Sequence, residues 1–186
     1  GRALVTNRMA SAPDGDTVLG VDLARARELA AAVCDPEVPV LTIDDLGVLR
    51  DVTRADDGAV VVRVTPTYSG CPAMDTIKAD VLKALRDGGF ESARVEFVLS
   101  PAWTTDWMSD DGRRKLAEYG IAPPATEAEH RDARHRGGPV SLTLGMRCPQ
   151  CGSLDTERLS RFGSTACKSL WRCRACAEPF DHFKTL

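Results

Sequence analysis

CPQCGSLDTERLSRFGSTACKSLWRCRACAEPFDHFKTL, residues 148 to 186, holds five of the chain's seven cysteines. Four of them form two pairs, Cys148-x2-Cys151 and Cys173-x2-Cys176, separated by 21 residues. Two such knuckles bring four thiolates to one tetrahedral point, the arrangement that closed zinc sites prefer. A stretch this short cannot fold on its own apolar core, so metal ligation supplies most of its folding free energy. Four thiolates also suit an iron-sulfur cluster, which keeps iron as the alternative cofactor to zinc. Cys167 belongs to neither pair. It is expected either as a small buried residue of the ribbon or as an exposed thiol beside the site, with neighbouring Lys168 lowering its pKa.

Working towards the N-terminus, ATEAEHRDARHRGG (125 to 138) mixes both charge signs without apolar period and reads as a linker, with His130 and His135 as surface residues. Ahead of it, PAWTTDWMSDDGRRKLAEYGIAPP (101 to 124) has room for a short helix from Ser109, and its tryptophans are expected to pack back on the preceding domain. That domain reads helix, strand, strand, helix, strand. Leu23, Ala26, Ala30 and Val33 share a helical face that ends near Asp35. Two strands, Gly47 to Thr53 and Ala59 to Thr65, flank a turn at Asp56-Asp57-Gly58. Met74, Ile77, Val81 and Leu85 mark a second helix opened by Pro72, and Val95, Phe97 and Leu99 alternate along a third strand. The fold class is α+β followed by a four-cysteine zinc-ribbon module. The expected organisation is a flexible N-terminus over 1–20, the α+β domain with its tail over 21–122, a linker over 123–139 and the ribbon over 140–186.

Cys71, in TPTYSGCPAMDTI (65 to 77), follows Gly70 and precedes Pro72. It is expected at the helix N-cap, where free N–H groups and the helix dipole favour a thiolate, a reactive thiol or a metal ligand. Once metal is bound, Cys71 and Cys167 are therefore expected to be the most readily alkylated of the seven thiols, with Cys34 shielded on a helix turn beside apolar Val33. Asp35 and Glu37 in CDPEVP are candidate functional carboxylates.

Composition narrows the rest. The chain carries a formal net charge of -3. From Val140 onward seven Lys or Arg face four Asp or Glu, and a Zn²⁺ held by four thiolates would return two negative charges, too little surplus for a phosphate-binding stripe. Nucleic acid is therefore not an expected partner. No apolar run approaches a membrane span or a signal h-region, so no membrane partner and a cytoplasmic location are expected. There are no paired Glu-x-x-His motifs for a di-iron centre, no Gly-rich dinucleotide loop and no Ser-His-Asp set, so a non-catalytic role is expected.

DPEVPVLTIDDLGVLRDV (35 to 52) followed by VTPTYSGCPAMDTI (64 to 77) resembles the family of iron-sulfur maturation proteins that includes SufT-like factors, whose signature is an Asp-Pro-Glu turn and a Thr-x-x-x-Cys-Pro helix start. PAWTTDWMS (101 to 109) and FGSTACKSLWRCRACAEPFDHFK (162 to 184) are similar to the D-subunit family (PaaD) of the bacterial phenylacetyl-coenzyme A epoxidase system, which joins such a domain to a cysteine knuckle. The resemblance spans roughly Asp22 to Leu186. It implicates Asp35, Glu37, Thr67 and Cys71 in the first domain and Cys148, Cys151, Cys173 and Cys176 in the second. The FGSTACK stretch extends it to Cys167. The role it implies is accessory: maturation of the iron-sulfur or di-iron centres of a multicomponent oxygenase, or docking of its components as a zinc-ribbon adaptor. The implied partners are the other epoxidase components and iron-sulfur assembly proteins, with a homodimer as a further expectation.

Overall fold

The structure, a computed structural model, describes residues 15–68, 70–125 and 146–184. His130 and His135 lie outside the described residues. In chain order the elements are α1 (Gly15–Ala31), β1 (Leu49–Arg54), β2 (Val60–Val64), α2 (Ala73–Asp87), β3 (Ala93–Phe97), a 3-10 turn (Thr105–Trp107), α3 (Asp110–Glu118), β4 (Ile121–Ala122), β5 (Thr156–Ser160), β6 (Lys168–Cys173) and β7 (Pro179–Phe183).

Three strands in the order β1-β2-β3 make the first sheet, antiparallel between β1 and β2 and parallel between β2 and β3. The hairpin turn forms because Gly58 takes φ +83° and Asp57 Oδ1 accepts the Ala59 N–H at 3.0 Å. A parallel return needs a crossover, and α2 supplies it. Its apolar face of Ala73, Met74, Ile77, Val81 and Leu85 is buried against a core that includes Val60, Val62 and Val64 from β2 and Ala26 and Ala30 from α1.

The first helix stops at Ala31, four residues before the expected end. Asp35 is the reason, because its Oδ1 accepts the N–H groups of both Glu37 and Val38 at 2.8 Å, offering the backbone a turn in place of another helical step. Pro36 has no N–H to continue a helix. Cys34 pairs with Thr42 across the loop this creates. On β3 the alternation holds only at Val95, which is buried, while Phe97 is 43% and Leu99 65% exposed. The strand ends at Phe97, so Leu99 never enters the ladder.

The segment after β3 packs back on the first domain, and its two tryptophans take different places. Trp103 is buried and its Nε1 donates to the Leu46 carbonyl at 2.8 Å. Trp107 lies under the Arg50 guanidinium, 3.6 Å from ring centroid to Cζ, and its backbone comes so close to Gly47 that a Cβ there would sit 2.4 Å from the Trp107 carbonyl oxygen. Gly47 also takes φ +69°, so both backbone conformation and space require glycine. Ser109 caps α3 by accepting the Gly112 N–H at 2.9 Å. Lys115 of α3 reaches Asp45 Oδ2 at 2.8 Å. Despite partial burial, Lys115 and the Thr42 N–H hold the Asp45 carboxyl below the ordinary range.

The second sheet has the order β4-β7-β6-β5. Its β4 comes from the end of the first domain's tail and runs parallel to β7. The ribbon also presents Cys167 and Phe183 to the first domain's core, where Phe183 meets Trp103 edge-on at 6.2 Å. The two modules thus share apolar packing on both sides of the residue range expected to be a linker. The ribbon's own cluster is small, with Ala122, Cys148, Cys173 and Phe180 at its centre.

Candidate metal centre and thiol site

The knuckles converge. The Sγ atoms of Cys148, Cys151, Cys173 and Cys176 all lie within 4.8 Å of one another, with Cys148 to Cys176 at 3.8 Å and Cys151 to Cys173 at 3.5 Å. A tetrahedron with zinc-sulfur bonds of about 2.3 Å has sulfur-sulfur edges of about 3.8 Å, so the donor set fits one metal ion. Each knuckle turns back on itself: the Gly152 N–H reaches the Cys148 carbonyl, and the Cys173 N–H reaches the Glu178 carbonyl, both at 2.9 Å. The Cys173 thiol is drawn down to about 7, first by the Cys176 N–H donated to its sulfur. Cys176 is pushed up to about 12 despite the Glu178 N–H its sulfur receives, because burial and the neighbouring sulfurs oppose a second negative charge. Metal binding relieves that competition by taking all four as thiolates.

A second group forms where the modules meet. Cys71 stands one residue ahead of the N-cap, which is Pro72, and its sulfur receives the Ala73 N–H and the Tyr68 hydroxyl. These donors and the helix end favour the thiolate, as the sequence suggests. Burial outweighs them, and the Cys71 thiol sits above its ordinary value, with the carboxylates of Glu37 and Asp35 adding to the rise. Burial likewise raises Asp35, against the two N–H donors that stabilise its charge. Tyr68 is pushed up to about 12, by burial first and then by Cys71, Glu37 and Cys167. Thr67 is half-buried on the same loop.

The ribbon contributes to this group directly. Cys167 Sγ donates to Glu37 Oε2 at 3.5 Å and lies 3.0 Å from Thr165 Oγ1, while Lys168 Nζ donates to the Glu37 carbonyl at 3.2 Å. Cys167 is only 5% exposed, so the exposed-thiol expectation does not hold. Its thiol is pushed up to about 11, chiefly by burial, with the Glu37 carboxylate adding to the rise and Lys168 opposing it. The lysine's influence has the expected sign and is overridden. Cys34, expected to be shielded, is exposed, because the chain has already left the helix there.

Asp35, Glu37, Cys71 and Cys167 therefore come into one neighbourhood, and Cys148, Cys151, Cys173 and Cys176 into another. Tyr68 and Thr165 join the first group without having been singled out in the sequence, and Lys168, noted there only as a neighbour of Cys167, also reaches Glu37. Tyr68 lies inside the Thr-x-x-x-Cys-Pro motif, but nothing in its spacing marks it as a partner of Cys71.

An iron-sulfur assembly fold with a thiol at the start of its second helix, joined to a four-cysteine ribbon, defines the class, and the comparisons agree. Residues 24–97 match the model of the "Iron-sulfur cluster assembly protein" family and residues 133–184 that of the "PaaD zinc beta ribbon domain". The crystal structure of a domain of unknown function, DUF59, from Bacillus anthracis superposes with TM-score 0.50 at 28% identity, covering 55% of this chain and 97% of that one. An Fe-S protein maturation auxiliary factor of Bacillus subtilis (strain 168) is 40% identical over 78 residues, 41% of this chain and 76% of its own. A protein of Escherichia coli (strain K12), provisionally named as the D subunit of 1,2-phenylacetyl-CoA epoxidase, is 48% identical over 158 residues, 85% of this chain and 90% of its own. The chain belongs to the family of that D subunit. Among the described residues no helix is long and apolar enough to cross a membrane.

Proposed function

We propose that the protein is an accessory maturation factor for the iron-sulfur or di-iron centres of a multicomponent phenylacetyl-CoA 1,2-epoxidase, acting with the other epoxidase components and with iron-sulfur assembly proteins in the cytoplasm. The observation that carries this reading is the contact of ribbon Cys167 and Lys168 with Glu37, beside Asp35 and Cys71. An arrangement that only tethered two modules would not need two thiols and two carboxylates at their junction.

In this reading the two metal roles are separate. Cys148, Cys151, Cys173 and Cys176 would hold a resident zinc ion, which would supply folding free energy to the ribbon. Iron is cargo and meets Cys71. As the iron-sulfur bond forms, the Cys71 thiol gives up its proton to solvent, and the Tyr68 hydroxyl and Ala73 N–H steady the negative sulfur. Asp35 and Glu37 supply hard oxygen donors and negative charge nearby.

The test is Cys71→Ser in cells whose epoxidase activity depends on this protein. Serine preserves the local hydrogen bonding but ligates soft metals poorly, so the variant is expected to keep its fold and ribbon metal and to lose support of the epoxidase. Full activity would mean that Cys71 only packs and would leave the adaptor reading. Metal analysis of the same protein checks the ribbon: one zinc per chain is expected, and iron with sulfide would overturn that assignment.

A further inference from the structure

The ribbon sheet has a second face, opposite the one that carries the paired Lys168 and Phe183, and another constellation gathers on it. Register puts Arg158 of β5 opposite Trp171 of β6, and Ser169 of β6 opposite His182 of β7. These residues, with Arg161, Phe162 and Lys184, line a hollow of about 340 Å³, large enough for a small organic molecule. Among the described residues that line it, none is acidic.

At this face lies a buried imidazole with one nitrogen unmatched. His182 is 6% exposed, and its Nε2 has no hydrogen-bond partner among the described residues. Its tautomer follows from its neighbours. Trp171 Nε1 donates to Ser169 Oγ at 2.9 Å, and Ser169 Oγ lies 3.2 Å from His182 Nδ1. The serine oxygen accepts from the indole and gives its own proton to Nδ1, so the neutral ring carries its hydrogen on Nε2. The opposite tautomer would leave the serine proton without a partner as well. Burial holds the ring neutral, with its pKa lowered to about 4. An unmatched donor in a buried place is a standing cost that an acceptor would remove.

The charged groups around it agree in sign. Lys184 is tied down, its Nζ donating to the Ala166 carbonyl at 2.7 Å and lying 4.4 Å from the Phe162 ring centroid. Arg158 and Arg161 are exposed and have no hydrogen-bond or ion-pair partner among the described residues. Two exposed guanidiniums suit an oxyanion, which they grip with paired N–H groups. Trp171 and Phe162 offer ring surface for a flat apolar body.

We propose that this face of the ribbon is a binding site for a small organic anion, a carboxylate or phosphate carried on a flat apolar body. Arg158 and Arg161 take the oxyanion, Trp171 and Phe162 hold the body, and His182 Nε2–H supplies the donor at the buried side.

The test is calorimetric titration of the full chain with benzoate, phenyl phosphate, inorganic phosphate and phenol, followed in parallel by the ¹⁵N resonance of the His182 side chain. Benzoate or phenyl phosphate is expected to saturate and move the His182 Nε2 signal, and whichever binds more tightly tells carboxylate from phosphate. Inorganic phosphate and phenol are each expected to bind about tenfold more weakly. Arg158→Ala with Arg161→Ala, two exposed positions whose loss leaves the fold and metal content alone, is expected to weaken the aromatic anion about tenfold. His182→Phe is expected to weaken it too. No saturation by either aromatic anion would overturn the proposal, as would unchanged affinity in the double arginine variant, or phosphate or phenol binding as well as phenyl phosphate.

Discussion

Cys167 should resist alkylation in the folded protein, and the size of the effect follows from its surroundings. The thiolate is the nucleophile that iodoacetamide captures. Burial first, and the Glu37 carboxylate with it, move the Cys167 thiol from an ordinary value of 9.0 to about 11. At about pH 8 the thiolate share then falls from roughly one in ten to roughly one in a thousand, a slowing of about 100-fold. Steric cover adds to this, since only 5% of the residue is exposed. The assay compares iodoacetamide labelling of native and urea-unfolded protein by mass spectrometry of the Cys167 peptide, with exposed Cys34 as the internal reference. Glu37→Gln takes away the charge that opposes ionisation and should raise the native rate. A native rate within about threefold of the unfolded one would refute this account of the junction. It would place Cys167 in solvent and restore the poised thiol that Lys168 suggests from sequence alone.

Phe183→Ala should cost about 3–5 kcal/mol, because the ring is 2% exposed and packs edge-on against Trp103 of the first domain; urea unfolding followed by tryptophan fluorescence measures it, and a loss below about 1 kcal/mol would mean that the ribbon does not share that core. His182 should make the protein acid-sensitive. Its folded-state pKa, about 4, lies below the ordinary 6.5, so the stability it contributes is present above about pH 6.5 and is lost as the pH falls from there towards 4. At 1.36 kcal/mol per tenfold the loss is about 3 kcal/mol. Because the metal thiolates also protonate in acid, the measurement is the difference in pH dependence between the native protein and His182→Gln, and parallel stability curves would refute it.

Much of this molecule is written in short-range pattern. The two Cys-x-x-Cys pairs select four ligands because a knuckle is a local turn, and spacing alone aims both sulfurs at one point. The apolar period of α2, Gly58 at the hairpin and Ser109 at the start of α3 act within a few residues of themselves, and the helix, strand, strand, helix, strand order is legible from them. Asp35, Glu37 and Cys71 stand out because a turn and a helix start have sequence signatures. What the sequence leaves open is long-range. Cys167 lies 130 residues from Glu37 along the chain, and only the docking of the ribbon onto the first domain makes them neighbours. That same docking buries the thiol, reversing the pKa direction that Lys168 alone suggests. Phe97 and Leu99 continue an alternating pattern that tertiary structure leaves half-exposed, because β3 ends before the period does. The unmatched nitrogen of His182 is likewise invisible in FDHF, since burial and partner count belong to the folded sheet. Local sequence determines which groups are available, and the packing of distant surfaces determines which carry charge and which face one another.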